Sequence, residues 1–187
     1  MPVANVSDLV VRCPRKAVFL DRDGVINKIV YRDGKPTSPR SIGEFEFEGG
    51  VVPALKRLSA AGFSLFVVTN QPELTRGLLT KESLEMMTAR IASRLAVEEI
   101  RICAHDNDAG CSCRKPEPGM LIELAHKHSL SLQDSYVVGD TWRDSCAATR
   151  AGCKSIILDR SYNHSALADW RVPNLDTAVE VICGRQG

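Results

Sequence analysis

A chain of 187 residues with 44% apolar content suits one globular domain, read as 1–187 with a core over about 16–184, and leaves little length for a second. A formal net charge of +1, with basic residues scattered along the chain, lacks the electrostatic footprint of a nucleic-acid binder. No apolar run approaches the roughly 20 residues that cross a bilayer, and the N-terminus lacks a long apolar leader core, so a cytoplasmic location without membrane contact is expected.

The first clear element lies within KAVFLDRDGVIN, where the apolar run Ala17–Leu20 ends in Asp21 with Asp23 two residues later. Such a run reads as a fully buried strand, and residues i and i+2 leave its end on the same side. Residues 28–49 are polar and punctuated by Gly34, Pro36, Pro39 and Gly43, which predicts a long loop of functional character. Ala54, Leu55, Leu58 and Ala61 then recur at helical spacing over 52–61, with Gly62 as the stop. A second buried strand over 64–68 is broken by Thr69-Asn70-Gln71-Pro72.

Thr80 precedes a periodic helix through Leu84, Met87, Ile91 and Leu95, whose Met and Leu stripe faces a core. A strand over 100–103 leads into a run of cysteines, and Pro118 sits at the first turn of a helix ending near His128. Tyr136–Gly139 is a fourth strand, ending at Asp140. A helix over 143–151 stops at Gly152, a fifth strand spans 155–158, and an extended piece near 170–172 precedes a helix over about 175–183. Strands alternating with helices predict an α/β fold, an open parallel sheet with right-handed crossovers and helices on both faces.

Seven cysteines cannot all pair, and Cys103, Cys111 and Cys113 fall with His105 inside eleven residues. Three thiolates and one imidazole complete a tetrahedral shell for Zn²⁺ with no vacant position, which predicts a structural zinc-binding loop that fixes Arg114 and Lys115. Cys13, Cys146, Cys153 and Cys183 are dispersed and read as small apolar side chains. His126, His128 and His164 read as surface residues.

Ligands of an open parallel sheet bind outside the carboxyl ends of its strands. That edge receives Asp21, Asp23, Thr69, Asn70, Asp140 and Asp144, with Arg114 and Lys115 nearby. Gathered carboxylates raise one another's pKa unless a hard cation neutralises them, and Mg²⁺ suits such an oxygen-rich site. The set fits phosphoryl transfer. Asp21 is the expected nucleophile, Asp23 the general acid and base, Thr69 and Lys115 the holders of the phosphoryl oxygens, and Asp140 a Mg²⁺ ligand supported by Asp144.

In order along the chain, DRDGVIN, the strand-end Thr69, the segment RKP and GDTWRD resemble the four motifs of the haloacid dehalogenase superfamily of phosphatases. Together with TNQ, the Cys/His cluster and CRKPEPGM, they resemble its capless zinc-containing group, which includes heptose 1,7-bisphosphate phosphatases and the histidinol-phosphate phosphatase domain. The resemblance implies a Rossmann-like core without a large cap. It also implies Mg²⁺-dependent phosphomonoester hydrolysis, with Mg²⁺ held by the Asp21 side chain, the Asp23 main-chain carbonyl and Asp140.

A small phosphorylated sugar, a heptose bisphosphate first, is the expected substrate, with histidinol phosphate as the alternative. A non-catalytic phosphate-binding module and a nucleic-acid 3′-phosphatase are further readings, and a monomer is expected. Arg114 and Arg76 are candidates for a second anionic or hydroxyl group of the substrate, with a solvated role open for Arg76. Asn27, Asn70 and Gln71 either bond a polyol or stabilise local turns. Glu73, in Pro72-Glu73-Leu74, either repels a second phosphate or pairs with Arg76, and the long 28–47 segment forms a partial lid.

Overall fold

The computed structural model describes residues 14–184, so Cys13 lies outside the described residues. Six strands form one parallel sheet: β1 (Ala17–Leu20), β4 (Ser64–Asn70), β5 (Glu99–Cys103), β6 (Tyr136–Gly139), β7 (Lys154–Leu158) and β8 (Trp170–Val172). Five helices connect or follow them: α1 (Val51–Ala60), α2 (Lys81–Arg94), α3 (Gly119–His128), α4 (Trp142–Ala151) and α5 (Leu175–Gly184). The extended piece near 170–172 is a full member of the sheet, its sixth strand.

The spatial order is β5-β4-β1-β6-β7-β8. The chain starts in the middle, steps outward to β5, and returns to the other side of β1. Strand order therefore reverses at β1, and the crevice above the carboxyl ends of β1, β4 and β6 is where such sheets bind ligands. The register carries Leu20 opposite Val67 and Val138, and the Asp21 N–H donates to the Val138 carbonyl at 2.9 Å.

Alternation along each strand splits the core. Val18, Leu20, Leu65, Val67 and Val138 face α1, α2 and α5, whereas Phe19, Phe66, Val68 and Val137 face α3 and α4. Both faces are covered, which is why these strands read as unbroken apolar runs. Phe19 and Phe66 stack with centroids 5.6 Å apart on the second face. Helix ends follow local chemistry: the Thr80 hydroxyl accepts from the Ser83 N–H at the start of α2, and Gly152 ends α4 at φ +78°. Pro118 is the residue before α3 rather than a member of its first turn.

The segment read as a long loop over 28–49 contains an antiparallel hairpin, β2 (Val30–Arg32) and β3 (Lys35–Thr37). Asp33 and Gly34 form its two-residue turn with φ of 50° and 71°, a conformation that Asp-Gly adopts readily. Strands of only three residues, each mixing polar and apolar side chains, hid the signal that the Asp-Gly pair carried. Among the described residues no helix is long and apolar enough to cross a membrane.

The helical stripe on α2 gives a direct check. Met87 is fully buried and its neighbour Met86 is exposed. Met87→Ala is expected to cost about 2–5 kcal/mol in urea unfolding, and Met86→Ala less than about 0.5 kcal/mol.

Candidate active site

Asp21, Asp140 and Asp144 each offer a carboxylate oxygen, and these oxygens lie within 4.8 Å of one another. They come from the end of β1, the end of β6 and the first turn of α4. Lys115 joins them from the far side: its Nζ lies 2.9 Å from Asp21 Oδ1 and 2.6 Å from Asp144 Oδ1, and donates to the Val68 carbonyl at 2.8 Å. Lys115 is 3% exposed and Asp144 fully buried, so these charges meet away from bulk water. Asp144 has a second task. Its Oδ2 accepts from the Thr141 N–H and hydroxyl at 3.0 and 2.7 Å, closing the capping box of α4.

Two glycines make this convergence possible. A Cβ on Gly139 would stand 2.2 Å from the Asp144 Cβ, and one on Gly24 would stand 2.2 Å from Asp140 Oδ2. Gly24 also has φ +79°. Neither position admits a side chain without moving a carboxylate.

Asp23 lives in a different environment. The Arg22 Nε and Nη2 donate to its Oδ1 at 3.1 and 3.0 Å, the Asn27 Nδ2 donates to Oδ1 at 2.9 Å, and the Gln71 Nε2 and Ser38 hydroxyl donate to Oδ2 at 2.7 and 2.9 Å. Burial disfavours the charge, but the Arg22 guanidinium and these donors outweigh it and hold Asp23 below the usual carboxylate range. Asp21 moves the other way, to about 7, because burial and the neighbouring Asp144 and Asp23 charges exceed the help from Lys115. Asp140 is also raised well above its ordinary value by burial, then by Asp21 and Asp144, despite a hydrogen bond from the Tyr162 hydroxyl.

Asp21, Asp23, Asp140, Thr69 and Lys115 line a cavity of about 580 Å³, as do Asn70, Arg76 and Arg114, whereas Asp144 lies buried behind it. Several expected substrate contacts have other work here. Asn27 and Gln71 are fully buried behind Asp23 and do not line the cavity. Gln71 bridges Asp23 and the Thr69 hydroxyl and accepts from Arg22, which fixes Thr69 from behind. The Asn70 amide clasps the Lys115 main chain, donating to its carbonyl at 2.9 Å and accepting from its N–H at 3.1 Å. Arg76 pairs with Asp106 through two bonds of 2.6 Å rather than with Glu73, while Arg114 donates to the neutral Asn107 Oδ1 and the His105 carbonyl.

The Cys/His cluster assembles as a compact group that could hold a metal ion. Donor separations run from 3.1 Å between Cys113 and Cys103 to 3.8 Å between Cys103 and Cys111, with His105 Nδ1 3.3 Å from the Cys113 sulfur. Donors placed tetrahedrally around one small ion stand at about these separations. Burial, then contact with the other two sulfurs, pushes the Cys113 thiol up to about 12. Burial raises Cys103 as well.

This geometry has solved counterparts. The crystal structure of D,D-heptose 1,7-bisphosphate phosphatase from Bordetella bronchiseptica, complexed with magnesium and phosphate, superposes with a TM-score of 0.79 at 30% identity, covering 90% of this chain and 98% of that one. A D-glycero-beta-D-manno-heptose-1,7-bisphosphate 7-phosphatase from Helicobacter pylori is 34% identical over 149 residues, 76% of this chain and 83% of its own length. The enzyme of that name from Yersinia pestis is 33% identical over 186 residues, 90% of this chain and 96% of its own. A HAD-hydrolase-like family model matches residues 112–174. The chain belongs to the haloacid dehalogenase-like phosphatases.

Within this phosphatase, four contributors escaped the sequence reading. Arg22, 1% exposed, sits between the two aspartates and is the main counter-charge of Asp23; an arginine between two carboxylates at a strand end was the available signal. Tyr162 holds Asp140, and Asn163 donates to the Asp140 and Leu158 carbonyls at 2.8 and 2.7 Å. Ser38 reaches Asp23 from the 28–49 segment. These last three come from irregular segments whose sequences carry no periodicity. His128, read as a surface residue, is half-buried against the Phe66 ring and bonded to Glu99.

The raised Asp21 and Asp140 give a signed expectation. Their protonation stabilises the metal-free fold in acid, and that contribution is lost for Asp21 as pH rises through about 7. A divalent cation held by these oxygens would take the proton's place. The gain in thermal midpoint on adding Mg²⁺ should therefore be larger at about pH 8 than at about pH 5.5, as scanning calorimetry at the two values would show.

Proposed function

We propose that this phosphatase hydrolyses a phosphomonoester of a small sugar, namely the 7-phosphate of a heptose 1,7-bisphosphate, with Mg²⁺ at the carboxylates and a structural Zn²⁺ in the Cys/His cluster. The observation that carries the reading is the meeting of Asp21, Asp140 and Lys115 on the floor of a cavity sized for a small ligand at the strand-order reversal, with Asp144 buried beneath them. The donors there are oxygens only, and three buried carboxylates against one ammonium leave two negative charges, which suits a hard divalent ion. Asp21, Asp140 and the Asp23 main-chain carbonyl would hold it, and when bound it neutralises the phosphate oxygens and the carboxylates together.

The chain's own groups divide the rest. Asp21 Oδ1 is fixed by the Arg22 N–H at 2.7 Å and by Lys115 at 2.9 Å, which aims the carboxylate as the attacking group. The Thr69 hydroxyl and Lys115 stand beside it to receive phosphoryl oxygens. Asp23, held ionised by Arg22, is set to take the proton of the water that cleaves the aspartyl phosphate; as the acid of the first half-reaction it must carry a proton to the departing sugar oxygen. The Glu73 Oε2, a buried acceptor at the cavity wall with no donor, suits a sugar hydroxyl. The enzyme acts in the cytoplasm as a single-domain monomer on a soluble substrate and engages neither nucleic acid nor membrane.

Asp21→Asn is expected to abolish Mg²⁺-dependent phosphate release from heptose 1,7-bisphosphate, a fall of about 10³-fold or more; activity retained in that variant rejects the assignment of the nucleophile. With Cys113 up at about 12 and Cys103 raised, both thiols carry protons at neutral pH in the metal-free protein. Zn²⁺ uptake should thus release about two protons or more per ion, measured by calorimetry in buffers of different ionisation enthalpy, and uptake without proton release would rule out thiolate ligation.

A further inference from the structure

The cavity is bordered on one side by the 28–49 segment, an arm built on the β2–β3 hairpin. The arm is held in place at several points. The Ser38 hydroxyl donates to Asp23, Arg32 donates to the Ser38 carbonyl at 3.0 Å and to the Thr37 hydroxyl, and Thr37 donates to the Val30 carbonyl at 2.7 Å. The Tyr31 hydroxyl reaches Ser161 at 3.3 Å.

Four cations ride on this arm, and they fall into two kinds. Lys28 pairs with Glu46 and Arg32 with Glu44. Lys35 and Arg40 line the cavity, and among the described residues neither side chain meets a hydrogen-bond acceptor. The Arg40 Nε is buried and unsatisfied, and Glu44, the carboxylate within reach of the Arg40 main-chain N–H at 2.7 Å, is already bonded by Arg32. A buried guanidinium donor without an acceptor is rare in a native fold unless something supplies one. Elsewhere on the rim the charge of Arg76 is spent on Asp106, and the Arg114 guanidinium is tied down by the Asn107 Oδ1 and the His105 carbonyl.

The floor of the cavity is acidic, and Glu73 adds a further carboxylate on its wall. An anionic group distant from the reacting phosphate is repelled there and is attracted most by cations whose donors the protein leaves unsatisfied. We propose that Lys35 and Arg40 form an arm-borne subsite for a second phosphate of the substrate, remote from the one removed. Arg40 offers a planar fork that matches phosphate oxygens two at a time, and Lys35 adds a mobile point charge from the hairpin. The arm is thus a specificity element carried by a rigid hairpin, and the inference rests on the phosphatase reading of the floor beneath it.

The test compares binding of glucose 1,6-bisphosphate and glucose 6-phosphate by titration calorimetry with Mg²⁺, in Asp21→Asn protein so that neither is consumed. The bisphosphate should bind about tenfold or more tightly than the monophosphate, and adding Lys35→Ala and Arg40→Ala should bring that ratio close to one, with Arg40→Lys keeping more of it than Arg40→Ala. An absent preference, or one that survives the double substitution, overturns the subsite. Should the double variant fail to fold, Lys35→Ala alone, at an exposed position outside the arm's bonds, should still lower the ratio, and an unchanged ratio there counts against the proposal. Hydrolysis of p-nitrophenyl phosphate by the unmodified chain, measured alongside, tests the floor's chemistry separately from the arm.

Discussion

The structure turns on one buried ammonium. Lys115 reaches Asp21, Asp144 and the Val68 carbonyl at once, and thereby ties the end of β1, the start of α4 and the C-terminal part of β4 to a single point. One positive charge cannot balance three buried carboxylates, so the arrangement is stable in acid, where protons complete the balance, or with a divalent ion. The same imbalance raises the Lys115 pKa above its ordinary value, since two carboxylates beside it outweigh the burial that opposes its charge. Lys115 therefore stays charged wherever the fold survives.

What positions Lys115 is the chain on either side of it. Cys113 lies two residues before, and the Asn70 amide brackets the Lys115 main chain while Asn70 itself sits opposite Cys103 in the sheet register. The Gln71 N–H donates to the Cys103 carbonyl at 2.7 Å, and the Gly119 N–H to the Ser112 carbonyl at 2.9 Å. The Cys/His cluster at Cys103 and Cys113 is thus linked through main chain both to the strand that carries Thr69 and to the loop that carries Lys115.

The strand ends were legible because a sheet covered on both faces demands continuous apolar runs, and Ala17–Leu20 and Tyr136–Gly139 stop abruptly at aspartate. The strand order then brings Asp21 and Asp140 together without any further instruction. Asp144 was readable as a neighbour of the site, but its role as the cap of α4 only emerges once Gly139 is seen to let α4 start against β6. The hairpin was not legible as strands, since two three-residue strands, none of whose positions is fully buried, carry no alternation. Nor were Asn27 and Gln71 legible as supports rather than contacts: an amide looks alike from the sequence whether it faces ligand or carboxylate, and burial alone separates the cases.

Asp21 and Asp23 are two residues apart and yet are balanced in different ways. Asp23 is satisfied by the chain itself, with Arg22 as its counter-charge and donors on both oxygens, so its ionisation does not wait on a ligand. Asp21 shares its ammonium with Asp144 and remains under-compensated, so its charge depends on what enters the cavity. Environments that push two neighbouring carboxyl groups in opposite directions are how one site obtains two functions from one residue type. On the proposed reading, Asp21 would become fully charged only once a cation reaches the cavity, whereas Asp23 is ionised before one arrives.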